Sequence, residues 1–398
     1  MDNLLLIKNL NLKFKNEIIG FRHSIHQNPE LSFKEYETSN FIEDTLKKYN
    51  INCSRITETG IVAVIEGKKA GKTIALRADI DALPIEEKNN LPFKSKNNGL
   101  MHACGHDIHT ASLLGSALIL NKIKEHFSGK IILIFQPAEE KIPGGAKALI
   151  EKGILEKYKP TAILAQHVQP DIASGKIGLR AGKYMASTDE IYLSVTGKGG
   201  HAAMPHELID TVLISASIIT GLQHIVSRKA NASIPTVLSF GKIVANGATN
   251  IIPDNVEIEG TFRTMDEVWR KKALKLIEET AANIAKTMGG ECKTRIMHGY
   301  PFLENNEALS EFVKEQSELF LGKKNVLPLD IRMTAEDFSY FAQKIPGVMY
   351  RIGVGGSSKN ENSFPLHSAH FNPDETVLEF SSGLMAWNAI QFLETNPI

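Results

Sequence analysis

The sequence predicts an α/β protein: a larger domain built on a mixed, largely parallel sheet covered by helices, with a smaller ferredoxin-like α+β domain inserted into it. Three observations carry this expectation. Three apolar runs, KTIALRADIDAL, GKIILIFQPAEE and TAILAQHVQP, are spaced along the first half between helical stretches. Continuous apolar runs of that kind suit strands covered on both faces. From about 187 to 300 the order of patterns changes to β-α-β-β-α-β, which fits a compact sandwich. After 301 the α/β pattern returns. The expected division is therefore residues 1–186 with 301–398 as the larger domain, and 187–300 as the insertion.

The elements follow in order. Residues 35–50 (EYETSNFIEDTLKKYN) have helical apolar spacing. Each of the three strand-like runs ends abruptly in polar, chemically capable residues. In open α/β sheets the functional groups collect beyond the carboxyl ends of strands. In the insertion, EIYLSVTG alternates as a strand does, and LIDTVLISASIITGLQHIVS is a long helical pattern. TVLSFGKIVA and VEIEGTFRT read as strands joined through the turn-rich NGATNIIPDN. VWRKKALKLIEETAANIAKTM is an amphipathic helix closed by Gly289 and Gly290, and CKTRIMHGY is a last strand.

Composition narrows the function. The chain has 398 residues, enough for two or three domains at roughly 100–200 residues each. Lys+Arg and Asp+Glu are both 45, so no net charge favours nucleic acid or a membrane surface. The three cysteines, Cys53, Cys104 and Cys292, are too few and too odd in number for a disulfide framework. No apolar stretch approaches the roughly 20 residues of a membrane span. The first apolar run, Leu4 to Ile7, is too short for a signal segment. A reducing, cytoplasmic location is the expectation.

The densest chemical signal is MHACGHDIHT, residues 101–110, which gathers Cys104, His106, Asp107 and His109. Thiolate, imidazole and carboxylate are donor types for zinc and similar ions. Cys104 and His106 read as ligands, whereas His102 and His109 read as structural. FQPAEE places Glu139 and Glu140 after a strand. Neighbouring side chains on extended backbone diverge, so one carboxylate can bind metal while the other serves as base. Asp79 and Asp81 in RADIDALP share one face and can bridge metals, orient ligands or form ordinary turn chemistry. His167 and His367 are single histidines near run ends. His201 in GKGGHAAMPH is a loop histidine able to donate to an oxyanion. Asn250 and Arg263 are candidate binders of a substrate carboxylate. GVGGSS, residues 353–358, lacks the spacing of a phosphate loop.

Taken together, RHSIHQNPELSFKE, RADIDALP, MHACGHDIHT, FQPAEE, QHVQP, GKGGHAAMPH, ATNIIPD, AEDFS and LHSAHF resemble the M20 metallopeptidase group over essentially the whole chain. The resemblance is closest to its amidohydrolase branch, which includes hippurate hydrolases, bacterial aminoacylases and auxin-conjugate hydrolases. It implies Cys104, His106, Glu140, His167 and His367 as ligands of one or two divalent ions (zinc, manganese, cobalt or nickel). It implies Glu139 as general base toward a metal-activated water, and His201 as a lid residue holding substrate or polarising its carbonyl. It also implies a catalytic domain with an inserted lid and places Asn250 against substrate; Arg263 is a further candidate for substrate contact, or an ordinary surface residue. Asp79, Asp81 and Asp107 are expected behind the ligands. The implied substrate is a small N-acylated amino acid, and the implied assembly a homodimer or homotetramer through the lid. Two alternatives stand beside this reading: a dipeptidase or exopeptidase on the same scaffold, and a non-catalytic metal-binding protein.

Overall fold

The computed structural model describes residues 3–356, 364–395 and 397. The chain divides into two compact units. The first comprises residues 1–184, 304–331 and 337–398, and the second comprises residues 185–303 and 332–336.

The first unit is organised by an eight-stranded sheet. Its order is Cys53–Arg55, Ile61–Glu66, Lys130–Gln136, Thr73–Asp79, Ala162–Ala173, Gly347–Gly355, Ile177–Leu179, Val326–Pro328. The four central strands run parallel to one another. The antiparallel pairings lie towards the two edges. Three of those central strands are the three apolar runs of the sequence. Their side chains are buried along nearly their whole length, as strands covered on both faces must be.

The helix His106–Lys122 is buried throughout from Ile108 to Leu120. It packs on Asn3–Gln27 and on Ser381–Glu394, so apolar residues go all the way round it. Among the described residues no helix is long and apolar enough to cross a membrane. Gly353–Gly355 of the GVGGSS stretch end the fourth central strand, and Ser357 and Ser358 lie outside the described residues.

The second unit has a four-stranded antiparallel sheet in the order Thr236–Val244, Asn255–Thr264, Asp189–Thr196, Glu291–His298. The helices Thr211–His224 and Glu267–Thr287 complete the β-α-β-β-α-β order. Each helix starts at an aspartate that caps it. Asp210 accepts from Leu213 N–H and Asp266 from Trp269 N–H.

One segment falls differently from the sequence division. Residues 332–336 cluster with the second unit rather than with the C-terminal part. The Ala186 N–H lies 3.1 Å from the Arg332 carbonyl and 3.0 Å from that of Thr334, and Met333 packs against Ala186, Met265 and Phe302.

Candidate metal centre

The register of the central strands sets the site. Arg77 pairs with Ala165 and Asp79 with Gln136. Asp79, His167 and the residues after Gln136 therefore emerge at one level of the sheet. His167 lies inside its strand rather than at its end, because pairing with Gly347–Gly355 carries that strand on to Ala173. Cys104 precedes Gly105, which has φ +81° and leads into the helix bearing His106. A Cβ on Gly105 would come within 2.5 Å of Val168 Cγ2, so only glycine lets these two segments meet. The His367 N–H donates to the Ala103 carbonyl at 2.8 Å, which brings the C-terminal segment to the same place.

The donor atoms converge. Those of Cys104, His106 and His167 all lie within 4.8 Å of one another, and so do those of Cys104, Glu140 and His367. Cys104 Sγ is 3.6 Å from His167 Nε2. Glu140 Oε1 is 3.2 Å from His367 Nε2 and 3.9 Å from His106 Nε2. His106 Nε2 is buried with no hydrogen-bond partner. His106 Nδ1 faces the Asp81 carbonyl at 2.9 Å and Asp81 Oδ1 at 3.2 Å, which orients the ring and leaves Nε2 for another partner. His167 is arranged likewise, with Nδ1 donating to the Val168 carbonyl at 2.8 Å.

The electrostatics suit a cation. Burial, and then the Glu140 and Glu139 carboxylates, push the Cys104 thiol well above its ordinary range. Burial works against the charge on His106, yet Asp79, Asp81 and Glu140 carry it up to about 10. Burial and then Arg351 hold His167 well below its usual value, so its lone pair stays available. The Glu140 carboxylate holds His367 up. An orphaned imidazole nitrogen, a buried thiol and clustered carboxylates are the donor types that hold a divalent ion, and the set fits one.

Glu139 is buried and lies with His106 and Glu140 in a third such group. The two glutamates sit on a bend rather than on extended backbone. Ala138, just before them, has φ +51°.

Asp79 accepts from Arg77 at 2.7 Å and from His109 Nδ1 at 2.6 Å. His109 Nε2 in turn accepts the Val168 N–H at 2.8 Å, so both ring nitrogens have protein partners. His102 is buried, with both ring nitrogens lacking a hydrogen-bond partner, and burial lowers it to about 4. His370 lies against Phe364 in a tilted ring contact, with centroids 5.0 Å apart.

Asp107 departs from its expected place behind the ligands. Although it follows His106, its Oδ2 turns to Arg22 Nε at 3.1 Å and His26 Nδ1 at 2.9 Å. On a helix, adjacent side chains do not share a face, so one residue's step points it elsewhere.

This cluster has a pH signature. Burial opposes the charge on His26, but Asp107 and Glu87 more than offset it and raise His26 to about 9 from 6.5. A raised histidine stabilises fully below its unfolded value and loses that contribution as pH rises through its folded one. The contribution is therefore complete below about pH 6.5 and gone above about pH 9, with a size of about 3 kcal/mol. Unfolding free energy measured across that window is expected to fall more steeply for the wild type than for His26→Gln; parallel slopes contradict the assignment.

In the second unit His201 lies on the two-residue strand Gly200–His201, paired with Ile251–Ile252. The Ala202 N–H donates to the Asn250 carbonyl, so the loops of His201 and Asn250 are neighbours. Both residues are exposed. Arg263 is half-buried on Asn255–Thr264, donates to the Met333 carbonyl at 3.3 Å and is lowered by burial.

Several residues had no role assigned from sequence. Arg77 is fully buried and also donates to Gln136 Oε1 at 2.9 Å and Asp337 Oδ1 at 2.9 Å. Glu35, Ser32 and Thr59 surround the Glu139 turn from the N-terminal side. The motifs RHSIHQNPELSFKE and AEDFS contain Ser32, Glu35 and Asp337, but local pattern gives them no partner.

The chain is similar to known proteins over nearly its whole length. The profile of Peptidase family M20/M25/M40 matches residues 75–384. Thermostable carboxypeptidase 2 of Saccharolobus solfataricus is 40% identical over 396 residues, 98% of this chain and 99% of the relative. An N-acyl-L-amino acid amidohydrolase of Geobacillus stearothermophilus is 41% identical over 295 residues, 74% of this chain and 79% of the relative. The crystal structure of a dinuclear metal-binding M20 peptidase from Bacillus subtilis matches with a TM-score of 0.81 at 34% identity, covering 96% of this chain and 99% of that one. A converging set of thiol, imidazole and carboxylate donors, in a chain matched this fully, makes the protein a metal-dependent hydrolase belonging to the M20/M25/M40 peptidase family.

Proposed function

We propose that the protein hydrolyses the amide bond of small N-acylated amino acids, releasing a carboxylic acid and a free amine. The observation that carries this reading is the placing of Glu139 beside a ligand set it need not join. The donor atoms of His106, Glu139 and Glu140 lie within 4.8 Å of one another, and Glu140 already faces His367. Cys104, His106, Glu140, His167 and His367 are the proposed ligands. Cys104 belongs to two donor triads, so it would help to hold whether one ion binds or two. Its thiol leans toward zinc, while the imidazole and carboxylate donors also accept manganese, cobalt or nickel.

The ion, when bound, supplies a Lewis acid and eases the deprotonation of water. Glu139 takes the proton from the attacking water and returns it to the departing amine. Asp81 keeps His106 in the orientation that leaves Nε2 free, and Asp79 fixes His109 behind it. We assign the second unit the part of a lid. His201 donates to the carbonyl oxygen, while Asn250 and Arg263 meet the substrate carboxylate. The half-buried guanidinium of Arg263, whose charge burial disfavours, supports an anionic partner.

Cleavage of peptides is the second reading, favoured by the carboxypeptidase among the relatives. A panel of N-acetyl, N-benzoyl and indole-acetyl amino acids beside simple dipeptides separates the two. It uses metal-stripped protein with zinc, manganese, cobalt or nickel restored. Cleavage of acylated amino acids that needs the metal is expected; cleavage of dipeptides alone overturns the substrate class. A homodimer or homotetramer through the second unit is part of the proposal, and a monomeric mass by light scattering contradicts it.

A further inference from the structure

We infer that Glu35 is a positioning residue that sets the direction of Glu139 and Glu140 through the backbone of Ala138; this rests on the roles proposed for those two residues. Glu35 is completely buried. Its Oε1 accepts the N–H of Phe33 at 2.9 Å and that of Ala138 at 2.8 Å. Its Oε2 accepts the Thr59 hydroxyl at 2.8 Å.

Both N–H groups on Oε1 belong to residues in the left-handed region. Phe33 has φ +66° and Ala138 has φ +51°. Residues other than glycine hold such angles only where their surroundings over-determine them. One carboxylate oxygen therefore secures two strained backbone positions, and the second of them is the residue before Glu139.

The turn is held from several sides. The Ala138 carbonyl accepts the Gly145 N–H at 2.9 Å. A Cβ on Gly145 would lie 1.8 Å from the Pro137 carbonyl oxygen, so this closure requires glycine. The Glu140 N–H donates to Asp81 Oδ2 at 3.0 Å, and the Ser32 hydroxyl donates to the same oxygen at 2.6 Å. The segment 32–35 thus reaches the turn twice, directly at Ala138 and through Asp81 at Glu140.

An apolar residue at 35 would fill the space but leave three donors without acceptors. Burial, and then the charge of Asp81, push Glu35 up to about 7. A carboxyl kept in so unfavourable a place is accounted for by what it holds.

The test compares metal-loaded Glu35→Leu, Glu35→Asp, Glu35→Gln, Thr59→Val and Glu139→Gln proteins on the best amide of the panel. Displacing a catalytic group by about 1 Å costs about 100-fold, so Glu35→Leu is expected to lose about 100-fold in kcat with KM little changed. Glu35→Asp, which keeps the charge but shortens the reach, loses kcat in the same way and serves should the leucine variant not fold. Glu35→Gln retains most activity, because its amide oxygen can still take both N–H groups while its nitrogen donates to Thr59. Thr59→Val removes a hydrogen bond of Glu35 without touching Ala138, so it lowers thermal stability and spares kcat.

Near-wild-type kcat in folded Glu35→Leu or Glu35→Asp overturns the inference, as does an equal kcat loss in Thr59→Val. Wild-type turnover in Glu139→Gln instead removes the base assignment, and the inference falls with it.

Discussion

Replacing Glu139 by Gln is expected to lower kcat by roughly 100- to 10,000-fold, the usual range for a lost general acid–base group. The substitution is nearly isosteric, so the turn at Ala138 and the buried packing stay intact. Cys104, His106, Glu140, His167 and His367 remain in place, so metal content by atomic emission should match the wild type. Loss of turnover with metal retained separates a base from a ligand. A fall in bound metal equal to the fall in kcat would instead place Glu139 among the ligands. Near-normal turnover in the metal-loaded variant would sink the assignment outright.

The second large effect is on the fold. Arg77 is fully buried, and its guanidinium reaches Asp79, Gln136 and Asp337 together. Removing one partner of a buried ionic group leaves uncompensated charge, which typically costs roughly 3–5 kcal/mol. Arg77→Met is therefore expected to lower the unfolding free energy by about that amount, measured in denaturant. Asp79 would lose its fixed guanidinium and His109 its fixed acceptor, so metal affinity should fall as well. Adding Asp337→Asn to Arg77→Met removes one stranded charge and should restore part of the loss. A fully stable Arg77→Met protein would mean that the two aspartates find other partners or share a proton.

Much of this architecture was legible in the residues. The three apolar runs became neighbouring parallel strands because a strand buried on both faces needs apolar residues without alternation. In the second unit, period and turn chemistry located all four sheet strands and both helices. Of the proposed ligands, Cys104 and His106 stood out in the donor-rich MHACGHDIHT, whereas Glu140 in FQPAEE is a weak signal alone and His367 was singled out only by the family resemblance.

What escaped had physical reasons. Cys53–Arg55 is a three-residue edge strand, too short for a pattern. The strand Gly347–Gly355 is mostly small and apolar and carries no ligand to mark its end. Arg77 meets Asp337 across 260 positions, and Glu35 meets Ala138 across 103. Such pairs leave no local signature, so a buried arginine reads like any other. Asp107 was expected behind the ligands but pairs with Arg22 and His26, partners 85 and 81 positions away.

The return of residues 332–336 to the second unit bears on how this protein can be rearranged. The chain passes between the two units four times, at 184/185, 303/304, 331/332 and 336/337. A graft of the middle segment alone into another scaffold would arrive without the strip that shields Ala186, Met265 and Phe302. Modular exchange of the second unit between relatives therefore demands four coordinated junctions, and chimaeras that move residues 185–303 alone are expected to expose that apolar seam.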